Sequence, residues 1–550
     1  MLNKPGRRRK ACDNCAKNRI VCDGGLSCHS CRSRGTHCSY TRLEAHPSSP
    51  SESRPDTCRV STRSQTNRNV DNKPEFPQPK LSVPFLLNYS ATSNRYPGEV
   101  NNVLTALAAG ESKDETRDPA VPSLQLENDR PDLFFEETWN LFLGSHEDQG
   151  RCETPFLPRG LEDDNECENA ASRILQSITS RHSDANQDAF YNRAKAFFTK
   201  ENIHDFVVAY FDGTVRPRSR IVLKSFFDLS STSTPLLLAM LLMGAICARS
   251  KDAKYNAIEY AEKAELTVFE DPSFQRLVYQ KRECRCDMLT KSDIEIIQAA
   301  ILMILIQIYS PDSESRRRIR IHRYPALVSV ARSTGLAQIK NVWHNSTIYN
   351  HELFLGNELS IRMMASIAMI DTHFIIFFNS PPLLSPFELG FDLPAEDAGV
   401  GISDTSTWEE WVANERKYQR PPPLNRFIQE LLSDNWAGKE DARFQNLSIF
   451  ALFIVISKFH PIIFNLRSNL LRSDDQVKQI ERALSRWLEL WEHLKPRLTE
   501  EEIYRSGFMI HAPDLVVFAR LLLRTPLAGA NDIAKDSMAH IHELLKEPSG

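Results

Sequence analysis

Between Cys12 and Cys38 the chain reads CDNCAKNRIVCDGGLSCHSCRSRGTHC, a spacing of C-x2-C-x6-C-x5-C-x2-C-x6-C. No other stretch limits the fold so tightly. These 27 residues hold almost no aliphatic side chains, so they cannot fold around a core of their own. Two C-x2-C pairs, each followed by a third cysteine after the same interval, form a pseudo-repeat of one metal-binding half. Thiolates are soft donors that favour zinc in tetrahedral sites. Two tetrahedral ions need about eight bonds, and six thiolates supply them only if two cysteines bridge. Metal binding then provides the folding free energy. Two other readings compete. Disulfides need an oxidising compartment, and iron–sulfur clusters use four-cysteine spacings unlike this one. Met1 to Lys10 is polar and basic with no apolar h-region, so an intracellular, reducing location is expected.

The formal net charge of −4 averages two unlike parts. Residues 1–45 hold ten Lys/Arg against three Asp/Glu, whereas the remainder holds 57 against 68. The head is therefore basic and suits a phosphate backbone, while the rest is acidic and is repelled by one. Arg7, Arg8, Arg9 and Lys10 form a basic run that reads as a phosphate contact and part of a nuclear localisation signal, or as a solvated terminus.

The cysteine spacing resembles the Zn2Cys6 binuclear zinc cluster of fungal transcription factors. The resemblance implies two zinc ions bridged by Cys12 and Cys28. One ion takes Cys12, Cys15, Cys22 and Cys28; the other takes Cys28, Cys31, Cys38 and Cys12. It also implies that a short first helix points into the DNA major groove at a CGG-like triplet. The matching stretch here is Ala16-Lys17-Asn18-Arg19-Ile20-Val21. Arg19 falls at the family's main base-reading position and Lys17 is a phosphate contact, with Asn18 between them. Arg32 and Arg34 of the second half clamp phosphates. An arginine at such a position can make a bidentate contact to guanine, worth about 1–3 kcal/mol of discrimination.

From His46 to Arg130, ten prolines and eleven serines fall in 85 residues with no sustained period, so a disordered linker is expected over 46–130. From Pro131 to Gly550 the text is helical. Glycine numbers only 20 of 550, too few for a β-sandwich or barrel, which needs turn signals every ~10 residues or so. Thr234-Pro235 followed by LLLAMLLMGAICA predicts a proline at the first helical position and a buried helix. Core helices also follow over Ile294–Tyr309, Ile361–Leu384 and Ser448–Leu466. These runs carry Glu295, Gln298, Gln307, Asp371, His373, Lys458 and His460, which argues against a membrane span. Pro325–Gly335 predicts an amphipathic helix stopped by glycine, and Ile480–His493 and Pro513–Leu523 predict two more. Asp129–Asp148 mixes acids with aromatics and reads as a first helix docking on the body, with an activation segment as the alternative. Arg316-Arg-Arg-Ile-Arg320 with Arg323 reads as a solvated loop, with a second basic contact as the alternative.

The body resembles the fungal-specific transcription factor regulatory domain over residues 202–413. The matching features are the aromatic segment His204–Phe211, the leucine-rich run after Pro235, Ala331-Arg-Ser-Thr-Gly-Leu336, and Glu358 and Arg362 ahead of a buried Asp371. Glu358 and Arg362 stand four apart and are placed to pair on one helix face.

The fold class expected is thus mostly α: residues 1–45 a Zn2Cys6 domain, 46–130 a linker, 131–550 an all-helical regulatory domain. The function expected is a zinc-dependent, sequence-specific DNA-binding regulator of RNA polymerase II transcription in the nucleus. Its partners are double-stranded DNA and the transcription machinery or co-regulators, with no membrane. Prolines at 47, 50 and 55 interrupt the region where such proteins form a dimerising coiled coil, and no heptad follows, so binding as a monomer or dimerisation through the body is expected at least as readily. The alternative is a helical ligand-sensing or scaffold regulator whose cluster has lost specific DNA recognition. An enzyme is not expected, because no nucleophile-elbow, zincin, Walker or dinucleotide motif is present, and Asp371-Thr-His373 and His540-Ile-His542 are isolated.

Overall fold

The computed structural model describes residues 17, 29–34, 158–180, 187–213, 221–248, 250–279, 289–308, 310, 312–341, 350–395, 405–469 and 472–525. The expectations placed on 46–130, Asp129–Asp148 and His540–His542 lie outside these residues. The chain divides into two compact units, Met1–Pro77 and Gln78–Gly550.

The second unit is helical, as its glycine-poor, 3.6-periodic text requires. Among the described residues there is no strand, only one isolated bridge between Arg159 and Asp228. Its centre is the leucine-rich helix Thr234–Cys247. Pro235 occupies the first turn, where its missing N–H costs nothing, and every residue from Leu236 to Cys247 is buried. Three helices wrap it: Lys200–Gly213, Lys251–Phe269 and Lys291–Ile308. The closest approach is at Gly244, where an added Cβ would lie 1.9 Å from the Phe206 carbonyl oxygen.

The carboxy-terminal half packs on the same hydrophobic core. The long helix His351–Phe378 meets Lys291–Ile308 on one side and Ile449–Ser457 with Phe459–Ser468 on the other. Asp474–Leu494 opens with a capping box between Ser473 and Gln476, and buries Ile480, Ala483, Leu484, Trp487, Leu490 and Trp491 along one stripe. Trp487 donates its indole N–H to the Leu452 carbonyl at 3.0 Å. Ala512–Arg524 closes the described chain. The helix Tyr324–Ser333 ends as expected, with Gly335 in the left-handed conformation at φ 76°.

Two segments, His351–Phe378 and Ile449–Ser468, are long and apolar enough to cross a membrane. In this fold 94% and 83% of their apolar windows are buried inside the body. The polar residues that interrupt the apolar runs serve as ties between elements. Glu295 accepts the Ser233 N–H at 2.9 Å, at the start of the leucine-rich helix. Gln298 donates to the Ile221 carbonyl and Gln307 to that of Ala261. A buried polar group costs free energy unless it is hydrogen-bonded, and these bonds satisfy the Glu295 carboxylate and the amide nitrogens of Gln298 and Gln307.

The arginine run corrects an expectation. Residues 313–318 are helical and 319–323 form a π-helical turn, not a solvated loop. Glu265, fully buried, accepts bidentate bonds from Arg318 at 2.9–3.1 Å and one from Arg323 at 2.6 Å. Arg320 lies 4.8 Å above the Phe378 ring and Arg323 lies 5.2 Å above that of Phe269. Consecutive charges read as solvated because their partners, Glu265 and two phenylalanines, lie some fifty residues away in sequence.

Candidate metal centre and DNA-contacting head

The described part of the head is small and informative. His29–Arg32 forms a four-residue helix, and the Arg34 N–H donates to the Cys31 carbonyl at 3.3 Å. So short a helix has no stability of its own. Cys31 is only 2% exposed, although Arg32, Ser33 and Arg34 beside it are exposed. A thiol drawn inward in a segment without an aliphatic core is what a soft-metal ligand requires, and the donor set of six cysteines fits zinc. The neighbouring arginines face solvent. Lys17 is helical and exposed.

Cys15 and Cys31 hold equivalent places in the pseudo-repeat. Lys17 stands two residues beyond the first, and Arg32 and Arg34 stand one and three beyond the second. Each half therefore places cationic side chains just after its second cysteine. Cys12, Cys15, Cys22, Cys28 and Cys38, together with Asn18, Arg19 and the run Arg7–Lys10, lie outside the described residues. Among the described residues, no group of three His, Cys, Asp or Glu side chains is placed to hold a metal. Cys247 is buried in the leucine-rich helix, and burial pushes its thiol up to about 12. It is therefore a core residue.

In the helical body the polar constellations are structural. Glu358 and Arg362 pair at 2.8 Å, both fully buried. Glu358 also accepts the Ala395 N–H, and Arg362 donates to the Ala395 carbonyl, so the pair fastens the chain beyond the long helix. Asp371 accepts the N–H groups of Leu383 and Leu384, holding the turn that follows Pro381-Pro382. Burial raises its carboxyl above the ordinary carboxylate range, and buried Lys458 opposes that rise. Burial in turn brings Lys458 down to about 8, and its ammonium donates to the Ala368 carbonyl. The Tyr324 hydroxyl lies 3.0 Å from the Ile367 carbonyl and also bonds Asp371. His373 is buried among Phe374, Phe377 and Phe378, which pushes it down to about 3. Asp371 was legible as a buried acid; its cation, 87 residues on, was legible only as a lysine inside an apolar run.

A helical body and a basic, cysteine-rich head define a class of regulatory proteins. The model of the fungal specific transcription factor domain matches residues 209–489, and that of the fungal Zn(2)-Cys(6) binuclear cluster domain matches residues 10–46. With the first match spanning half of its length, the chain belongs to the fungal-specific transcription factor family. Its cluster domain is one that holds two zinc ions. Transcription factor verF of Penicillium polonicum is 25% identical over 350 residues, which cover 59% of this chain and 47% of that protein. The chain thus spans about half the length of the curated relative it matches. No solved structure matches it.

Proposed function

We propose that the chain is a nuclear transcription factor that binds double-stranded DNA through its zinc head and regulates transcription by RNA polymerase II. The observation that carries this reading is the division of labour at His29–Arg34: a buried thiol at Cys31 and exposed arginines at 32 and 34. Residues 1–45 form the DNA-binding domain, 46–130 the linker and 131–550 the regulatory body. Cys12 and Cys28 bridge the two ions, with Cys15 and Cys22 completing one site and Cys31 and Cys38 the other. When bound, zinc cross-links the segment and neutralises most of the thiolate charge. Arg19 then reads a CGG-like triplet in the major groove, while Lys17, Asn18, Arg32 and Arg34 hold the backbone around it. Arg7–Lys10 adds phosphate contacts and directs nuclear import. The acidic body stays off the DNA and recruits the transcription machinery or co-regulators.

Selection of binding sites from randomised duplex, using the full-length zinc-loaded protein, tests the reading. Enrichment of one or two CGG-like triplets is expected. Zinc-loaded protein that enriches no sequence would overturn it in favour of a helical ligand-sensing or scaffold regulator.

A further inference from the structure

Beside the open end of the leucine-rich helix lies a cleft of about 850 Å³, within the range that takes a small molecule. Its inner wall is aromatic. Phe197 stacks on Tyr260 with ring centroids 5.1 Å apart, and Phe206 lies against Phe197 at 5.2 Å. Among the described side chains, its rim carries Asp205, Asp252 and Glu259 against Arg193. That guanidinium is committed to Glu259 through bonds of 3.1 and 3.0 Å. Asp205 lies 3.2 Å from a ring nitrogen of His204.

Two helix ends also face the cleft, and they are not equivalent. Thr234–Cys247 finishes there, with Cys247 and Ala248 in the wall, and so presents the negative end of its dipole. Lys251–Phe269 begins there with its positive end. That end is already served: the Ser250 side chain accepts the Ala253 N–H, and Asp252 sits in the first turn. Among the described side chains, the charge left over in the cleft is negative. The Cys247 thiol stays protonated at physiological pH, so it offers no thiolate for covalent capture.

We propose that this cleft binds an organic cation: an ammonium or guanidinium group on an aromatic or apolar body. The body lies against Phe197, Phe206 and Tyr260, and the cationic group sits among Asp205, Asp252 and the last carbonyls of the leucine-rich helix. An anion of the same shape is excluded by the carboxylates. The site reports on the centre of the regulatory body, since the helix it touches is the one that Gly244 seats on Phe206.

The test uses the full-length zinc-loaded protein and saturation-transfer NMR with three probes: benzyltrimethylammonium, benzyl alcohol and 3-phenylpropionate. The ammonium is expected to bind saturably and at least about tenfold more tightly than the carboxylate, with the alcohol between them. Asp205→Asn and Asp252→Asn, on different helices and both at the rim, should each weaken the ammonium severalfold and leave the alcohol unchanged. A folding defect in one variant, seen as a lowered Tm, leaves the other as the readout. Absence of saturable ammonium binding overturns the proposal. So does equal affinity for the carboxylate, or unchanged ammonium affinity in a folded variant.

Discussion

Gly244 is the residue on which the body's densest packing turns. A β-carbon there would lie 1.9 Å from a backbone oxygen that cannot swing away, so the two helices must separate to admit it. Gly244→Ala should therefore destabilise the body by about 2–3 kcal/mol, in spite of alanine's better helix propensity. A urea midpoint that rises on substitution would show that the close approach is absent in solution. In the head, Arg19 and Lys17 are assigned different work, and single substitutions separate them. Arg19→Ala should abolish sequence preference. Lys17→Ala should weaken binding to all sequences alike and reduce the salt slope by about one unit. Competition binding at two salt concentrations reads both effects, and equal loss with preference intact would refute the division.

At the level of elements, the sequence was most legible where partners are close along the chain. Glu358 and Arg362 stand four apart, and the helix brings them together without further information. Helix ends followed from Pro235 and Gly335 for the same reason, and the apolar stripe from Ile480 located the helix Asp474–Leu494 but not its start at the Ser473 cap. The arginine run failed because its meaning lies in a distant acid. Glu265 joins Lys251–Phe269 to the π-helical turn through two guanidinium groups that are themselves mostly buried. Glu265→Gln would remove the buried countercharge of Arg323 and leave Arg318 only the more distant Glu262, at 3.9 Å, and should cost about 3–5 kcal/mol, whereas an isolated surface pair costs under about 1. Chemical denaturation distinguishes the two. In the head, spacing points to cysteine ligands, but the inward turn of Cys31 and the exposure of Arg32 and Arg34 beside it are not stated by spacing alone.

For the molecule as a whole, acid and chelators should act on different parts. Burial holds His373 down to about 3 and His460 down to about 4, against an ordinary value of 6.5. Below pH 6.5 the unfolded chain binds protons that these folded histidines refuse. Stability therefore falls with acid, at up to about 1.4 kcal/mol per pH unit for each, until pH nears the folded values. Asp514, raised by burial to about 6, opposes one of them between pH 6 and 4, because the folded state protonates it first. Urea melts at pH 6.5 and 5 should show a net loss, and His460→Leu should remove most of the difference. A variant that loses stability as steeply as the parent would remove His460 from this account. A strong zinc chelator should abolish DNA binding while leaving the far-UV signal of the body intact, because the two units are separately compact.

The leucine-rich helix has a further consequence for time rather than energy. With every side chain from Leu236 to Cys247 enclosed, its amide hydrogens reach heavy water only when the whole body opens. Their deuteration rate is therefore a built-in clock for global unfolding, and any occupant of the neighbouring cleft would slow it.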